Sequence, residues 1–253
     1  MGLVIKLTST FTDTSLPKLY KDSVLNLGSL FLFDFKNPAT YQGGALPAPG
    51  FLANGASLYN LVDAAPLATV NGTQIAYNSA GAIEFNSVGN VVLGDNYNLA
   101  SSNPNFMISM WIKMTAASNS YAQLLGRSTT TTPNNTQWRI DMGLDGLRPR
   151  GGAGGSVQAT VAEIPNGSLV AGTLYHIAFS RVGASISTYL NGVQIRTATM
   201  PEATLANPAV IPNMGGGCKA LVYRAYMENL TVSGKNPLAQ VQADYNANLG
   251  RFN

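Results

Sequence analysis

Apolar and polar residues alternate with a period of two along most of this chain. The cleanest run is Phe106–Met114, FMISMWIKM. Phe106, Ile108, Met110, Ile112 and Met114 fall on one face and Met107, Ser109, Trp111 and Lys113 on the other, which is the spacing of a β-strand. Leu174–Thr199 reads as three strands joined by two tight turns, Gly183-Ala184 and Asn191-Gly192. Asn-Gly between alternating runs is a strong hairpin signal, because both residues tolerate the positive φ of a type I′ turn. In the first of these strands Ile177 and Phe179 point one way and His176, Ala178 and Ser180 the other. Ile186, Thr188 and Leu190 share one face of the next.

Ser29–Phe35 sets Phe31, Phe33 and Phe35 against Leu30, Leu32 and Asp34. Both sides are largely apolar, so it reads as a central strand. Shorter strands are expected at 57–62, 73–77, 82–85, 91–93, 121–126, 137–144 and 158–162, and a last long one at 220–232. Gly-, Pro- and Asn-rich stretches at 37–57, 127–136, 145–156 and 201–217 read as loops. Residues 236–249 form the one helical candidate: Pro237 suits a first turn, and Leu238, Val241, Tyr245 and Leu249 recur at helical spacing. Roughly a dozen short strands, one terminal helix and no βαβ alternation predict an all-β, two-sheet antiparallel sandwich. Residues 1–25 stand apart as an N-terminal arm, with 26–253 as the sandwich. Such an arm is either held by a neighbouring subunit or pairs as a first strand at home.

Composition narrows the function. Charged residues are 11% of the chain, against about 25% in an ordinary soluble domain. The surface is therefore built from Asn, Ser, Thr, Gln and Gly, which suits packing against other subunits or against neutral sugars. Net charge is +3, and the nearest approach to a basic cluster, Arg148-Pro149-Arg150, is flanked by Leu147 and Gly151; nucleic acid is not an expected partner. Cys218 is the only cysteine and His176 the only histidine, so neither an intrachain disulfide nor a Cys/His zinc cluster is available. No apolar run reaches the about 18 residues of a membrane span, and the first residues lack the charged-then-apolar pattern of a secretory leader.

Several segments carry a family resemblance. Tyr175-His176-Ile177 with its alternating hydrophobics, then Tyr189-Leu190-Asn191-Gly192, resembles the laminin-G-like branch of the concanavalin A-like lectin/glucanase superfamily. FMISMWIKM resembles that family's Trp-bearing strand, with Trp111. LVYRAYMENLTVSGKNPLAQVQADYNAN resembles its closing strand and short helix, and is similar to the form carried by laminin-G-like proteins of tailed phages. The likeness covers about residues 80–250. It implies a jelly-roll sandwich with one short C-terminal helix, on a phage virion as a capsid decoration or tail-associated subunit. It also implies an arm that attaches to other virion subunits, and a symmetric homo-oligomer such as a trimer. The alternative is a carbohydrate-binding module for host-surface glycans; a glycan hydrolase comes third, because fold does not carry function.

Glucanases of this superfamily place Glu-x-Asp-x-x-Glu on one strand, one acid to protonate the leaving oxygen and one to attack or activate water. That spacing is absent here: Asp141 and Asp145 are four apart and Glu228 stands alone, so the reading is not an enzyme. Laminin-G-like domains often hold one Ca²⁺ at the sandwich rim. Asp95, Asp141, Asp145 and Asn191 are the candidates for it, with Asx-turns as the alternative role. Sugar binding needs an aromatic plane and planar amides; Trp138, Tyr121, Tyr97 and Asn135 are the candidates, and subunit contact would use them equally well. His176 lacks a Ser, Asp or Cys partner at a recognisable spacing, and Cys218 reads as an inert buried thiol.

Overall fold

Period-two alternation over runs this short can bury its apolar faces only by stacking one sheet on another. The computed structural model describes residues 21–95, 97–99, 105–116, 122–129, 136–143, 146–150, 162–165, 167–200 and 206–252. Within them the strands are β1 Ser29–Asp34, β2 Gly50–Phe51, β3 Ser57–Leu58, β4 Ala68–Asn71, β5 Ala76–Asn78, β6 Ala82–Asn86, β7 Asn90–Val92 and β8 Phe106–Met114. They continue with β9 Ala122–Ser128, β10 Thr136–Gly143, β11 Gly146–Arg150, β12 Leu174–Val182, β13 Ser185–Leu190, β14 Val193–Thr199, β15 Asn213–Met214 and β16 Lys219–Asn229. Two helices follow, α1 Leu230–Ser233 and α2 Pro237–Asn248.

The larger sheet has nine strands in the order β14-β13-β12-β8-β16-β6-β5-β2, with β1 also on β16; the smaller has seven, β11-β10-β9-β15-β7-β4-β3. Their facing sides make the main core. Phe31, Phe33 and Phe35 enter it from β1 and the residue after it. Phe106, Ile108, Met110, Ile112 and Met114 enter from β8, Ile177 and Phe179 from β12, and Trp138, Ile140 and Met142 from β10. The fold is thus the two-sheet antiparallel sandwich expected.

The outer face of the larger sheet is covered as well. Helix α2 and the segment around Val24 and Leu25 pack on Leu32, Met107, Ala178, Tyr189 and Tyr226. Phe252 packs on Trp111 and Tyr223. Trp111 stacks on Tyr245 of α2, centroids 5.6 Å apart. Residues 21–25, assigned to the arm, are docked on this face; residues 1–20 and the strand expected at 158–162, except Ala162, lie outside the described residues.

Both hairpin turns form as read. Asn191 (φ +51°) and Gly192 (φ +77°) give the type I′ pattern, and Gly183 (φ +58°) supplies the positive first position of a II′ turn. Elsewhere the boundaries move. The last strand stops at Asn229, not Val232, because the Asn229 side chain accepts from the Thr231 and Val232 amides and starts α1; the helices are therefore two rather than one. Within 57–62 only Ser57–Leu58 is strand, since the Asn60 side-chain oxygen accepts from the Leu32 and Val62 amides and fixes the chain there. The strand expected at 73–77 forms as Ala76–Asn78. The stretch 145–156 yields a strand, β11, whose Pro149 is tolerated because β11 is the end strand of its sheet. The short strands β2, β4 and β15 lie outside every expected span, and pairing with neighbours, not local pattern, creates them.

Candidate functional site

Three gatherings of polar groups among the described residues bear on a site. The first lies beneath α2. A bulge in β16 between Val222 and Arg224, against β8, sets both Tyr223 and Arg224 on the outer face while Val222 and Ala225 stay in the core. Arg224 is fully buried and meets Asp244 of α2 at 2.8 Å, Asp22 at 2.9 Å and Asp34 at 3.0 Å. Asp244 also accepts from Ser109 Oγ (2.7 Å) and His176 Nε2 (3.1 Å). Burial alone would push the Asp244 carboxyl up, but Arg224, then His176 and Ser109, hold it below the ordinary carboxylate range. The serine, histidine and aspartate are not a nucleophilic relay. Ser109 and His176 both bind the same carboxylate oxygen, and all three side chains are sealed from solvent. The cluster anchors α2, and its convergent carboxylates are occupied by a guanidinium.

The second gathering is around Arg127. Its guanidinium donates to Asn98, Gln137, Asn207 and the Pro208 and Val210 carbonyls. It is only 3% exposed. Its work is to tie two loops to β9 and β10.

The third is open. The outer faces of β12–β14 and the start of α2 enclose a groove of about 420 Å³. Its floor is Ser180 of β12 and Tyr189 of β13, whose hydroxyls lie 3.0 Å apart. Ser185 and Ser187 of β13 and Gln194 of β14 form one side, Asn236, Pro237 and Leu238 the other, and Val182 completes it. The positions follow from the hairpins. Alternation puts Ser180, Ser187 and Tyr189 on the side opposite Phe179, Ile186 and Thr188, and the type I′ turn fixes the register that brings Gln194 beside Tyr189. Gly192 allows α2 to lie close, since a Cβ there would meet the Tyr245 ring at 2.8 Å. The Asn236 side chain caps α2 by accepting from the Ala239 amide. Ser187 and Thr197 hydroxyls lie 3.0 Å apart, and Gln194 Nε2 donates to Thr197 Oγ1 at 2.9 Å. No lining residue carries a charge at neutral pH.

The residues singled out from sequence fall elsewhere. Trp138 is wholly buried in the main core, where its Nε1 reaches the Tyr97 carbonyl at 3.4 Å. It offers no plane to a sugar; the alternation of β10 turns it inward with Ile140 and Met142. Tyr97 is 5% exposed, packs edge-on to Phe31, and its hydroxyl accepts from Asn60; burial pushes that hydroxyl up to about 12. Tyr121, Asn135 and Asp145 lie outside the described residues.

Of the metal candidates, Asp141 is buried and bonded to Arg139. Asn191, in the β13–β14 turn of the larger sheet, spends its side-chain oxygen on the His176 amide, 3.0 Å away. Asp95 is exposed on the loop after β7. Among the described residues no three His, Cys, Asp or Glu side chains gather as a metal cage, so these three do not fit a Ca²⁺ site together. The groove itself was missed in the sequence. Its only signal was the run of hydroxyl and amide positions Ser180, Ser185, Ser187, Tyr189 and Gln194 within 174–199.

A laminin-G family model, described as the concanavalin A-like lectin/glucanases superfamily, matches residues 85–235. No curated protein sequence matches the chain. Among solved structures, it resembles the receptor-binding domain of botulinum neurotoxin C/D mosaic serotype (TM-score 0.63, 12% identity, covering 88% of this chain and 52% of that one). The binding domain of botulinum neurotoxin DC in complex with SialylT gives 0.59 at 13% identity, covering 87% and 51%. The Trypanosoma rangeli sialidase in complex with sialic acid gives 0.57 at 15%, covering 88% and 33%. The chain thus spans about half of those toxin domains and a third of the sialidase, and identities this low establish likeness of fold.

Proposed function

This chain belongs to the concanavalin A-like lectin/glucanases superfamily, and on that premise we propose that it is a non-catalytic carbohydrate-binding module. The observation that carries the reading is the β12–β14 groove: it is open, uncharged, and lined with hydroxyls and amides above a rigid hairpin pair. Its volume lies in the about 300–1,000 Å³ range of small-ligand sites. A structural neighbour whose solved form holds SialylT supports the choice of ligand class. The test is a glycan array with the purified chain, run with Ca²⁺ and again with a chelator. Selective binding that Gln194→Ala weakens supports the groove. Binding that survives Gln194→Ala and Ser187→Ala together places the site elsewhere.

The setting we propose is a phage virion, with the sandwich displayed outward in a symmetric homo-oligomer and the arm contacting other virion subunits. The low charge and the closing segment similar to tailed-phage laminin-G-like proteins support it. Because Asp22, Val24 and Leu25 are docked on the sandwich, the deletion to make is residues 1–20. Lost incorporation into particles, with an unchanged melting temperature, supports the arm's role; normal incorporation removes it.

A further inference from the structure

The groove's chemistry discriminates among sugars, and this inference rests on the carbohydrate reading just given. We infer that the site selects a neutral glycan bearing a 2-acetamido group, and rejects glycans whose recognition depends on a carboxylate, such as sialylated ones. Three observations point there.

No cation lines the groove. The Arg224 guanidinium, which elsewhere would greet a carboxylate, is buried beneath α2 and saturated by three aspartates. Lys235, next along the chain from Asn236, is exposed and does not line the site. A carboxylate entering would shed water with no opposite charge to meet it, which is costly.

Apolar and amide groups also stand together. Val182 is 45% exposed at one wall, and Pro237 and Leu238 are half-buried at the other. A methyl group fits such a wall, whereas a bare hydroxyl gains nothing from it. Gln194 donates its Nε2 to Thr197, which leaves its Oε1 to accept a ligand N–H. Asn236 uses its Oδ1 on the Ala239 amide, which leaves its Nδ2 to donate to a ligand carbonyl. An acetamido group supplies the methyl, the N–H and the carbonyl at once.

Finally, the one aromatic ring at the floor, Tyr189, is 1% exposed. Its face is covered and its hydroxyl is paired with that of Ser180, so stacking does not supply the affinity. Recognition falls to the amides and the methyl wall, where a single methyl or lost hydrogen bond is worth about 10-fold or more.

The experiment is titration calorimetry on the full chain with four probes: N,N′-diacetylchitobiose, cellobiose, lactose and 3′-sialyllactose. Diacetylchitobiose should bind at least ~10-fold tighter than cellobiose, which differs only by hydroxyls in place of the acetamido groups. 3′-Sialyllactose should bind no tighter than lactose. Val182→Ser and Gln194→Ala, both at solvent-facing positions, should each reduce the preference for diacetylchitobiose about 5-fold or more while leaving the melting curve in place. Cellobiose equal to diacetylchitobiose, or 3′-sialyllactose tighter than lactose, overturns the inference and leaves the carbohydrate reading standing. Binding of none of the four, together with an array blank for every glycan, overturns both.

Discussion

Replacing Arg224 by methionine removes a buried cation while keeping most of the side-chain volume. Three carboxylates lie 2.8–3.0 Å from the guanidinium. Asp34 would retain Arg251, and Asp244 would retain Ser109, His176 and Asn248, so neither is stripped of donors. Breaking a buried pair by removing one partner costs about 3–5 kcal/mol. A domain of this size loses about 2–4 °C per kcal/mol, so Tm should fall by roughly 6–20 °C. The pH dependence separates this from a packing defect. In the native chain the Asp244 carboxyl is held below its ordinary value. A folded pKa below the unfolded value of about 3.9 gives stability that is present above that pH and lost as pH falls through the folded value. In Arg224→Met the largest lowering influence on Asp244 is gone, so its folded pKa rises toward the unfolded one. Part of the native chain's pH-dependent stability is then missing from the variant, and the gap between the two narrows as pH falls from about 5 to 3. Urea unfolding followed by tryptophan fluorescence reads both quantities, since Trp111 and Trp138 are both buried. A loss under about 1 kcal/mol, or the same loss at both pH values, refutes the reasoning.

Trp138→Ala should destabilise by about 3–5 kcal/mol in the same urea assay, as a large core side chain does; a cost near zero would return Trp138 to the surface. Burial pushes the Cys218 thiol up to about 12, so it should not react with a disulfide reagent at pH 8 until the chain is unfolded; prompt labelling of native protein contradicts this. Asn191→Ala puts a Cβ-bearing residue without a backbone-bonding side chain at φ +51° and removes the acceptor of the His176 amide. It should cost about 1–3 kcal/mol, and Asn191→Gly should recover part of that loss by relieving the backbone.

The sandwich was legible because alternation survives averaging. FMISMWIKM needs no knowledge of its neighbours to declare two faces, and Asn191-Gly192 needs none to declare a turn. Strands of two or three residues, such as β2 and β15, carry no period to read; only their ladders define them. The β16 bulge breaks the alternation at Tyr223 and Arg224, and no local rule announces it. The buried ion cluster did leave a trace. Asp34 in SLFLFD and Arg224 in ALVYRAYM are lone charges in apolar runs, and a lone charge there must find its opposite inside. Trp138 misled because an aromatic flanked by polar residues reads as a sugar platform, whereas its inward phase was fixed by Ile140 and Met142. The groove was illegible in a linear reading: Ser180, Gln194 and Leu238 come from three elements, and only α2 lying across the hairpins makes them one groove.

The middle of the larger sheet is the last strand to be synthesised. Asp34 and Arg224 are 190 positions apart, which at about 5–20 residues per second is roughly 10–40 s on the ribosome. Through that interval β1, β6 and β8 each lack the neighbour that β16 provides. The nascent chain therefore carries three sticky borders and no centre, which is the state a holdase chaperone recognises and an aggregate recruits. Assembly closes from the inside at the end, like a keystone set into a finished arch. A premature stop anywhere before Lys219 would yield not a smaller domain but an open one.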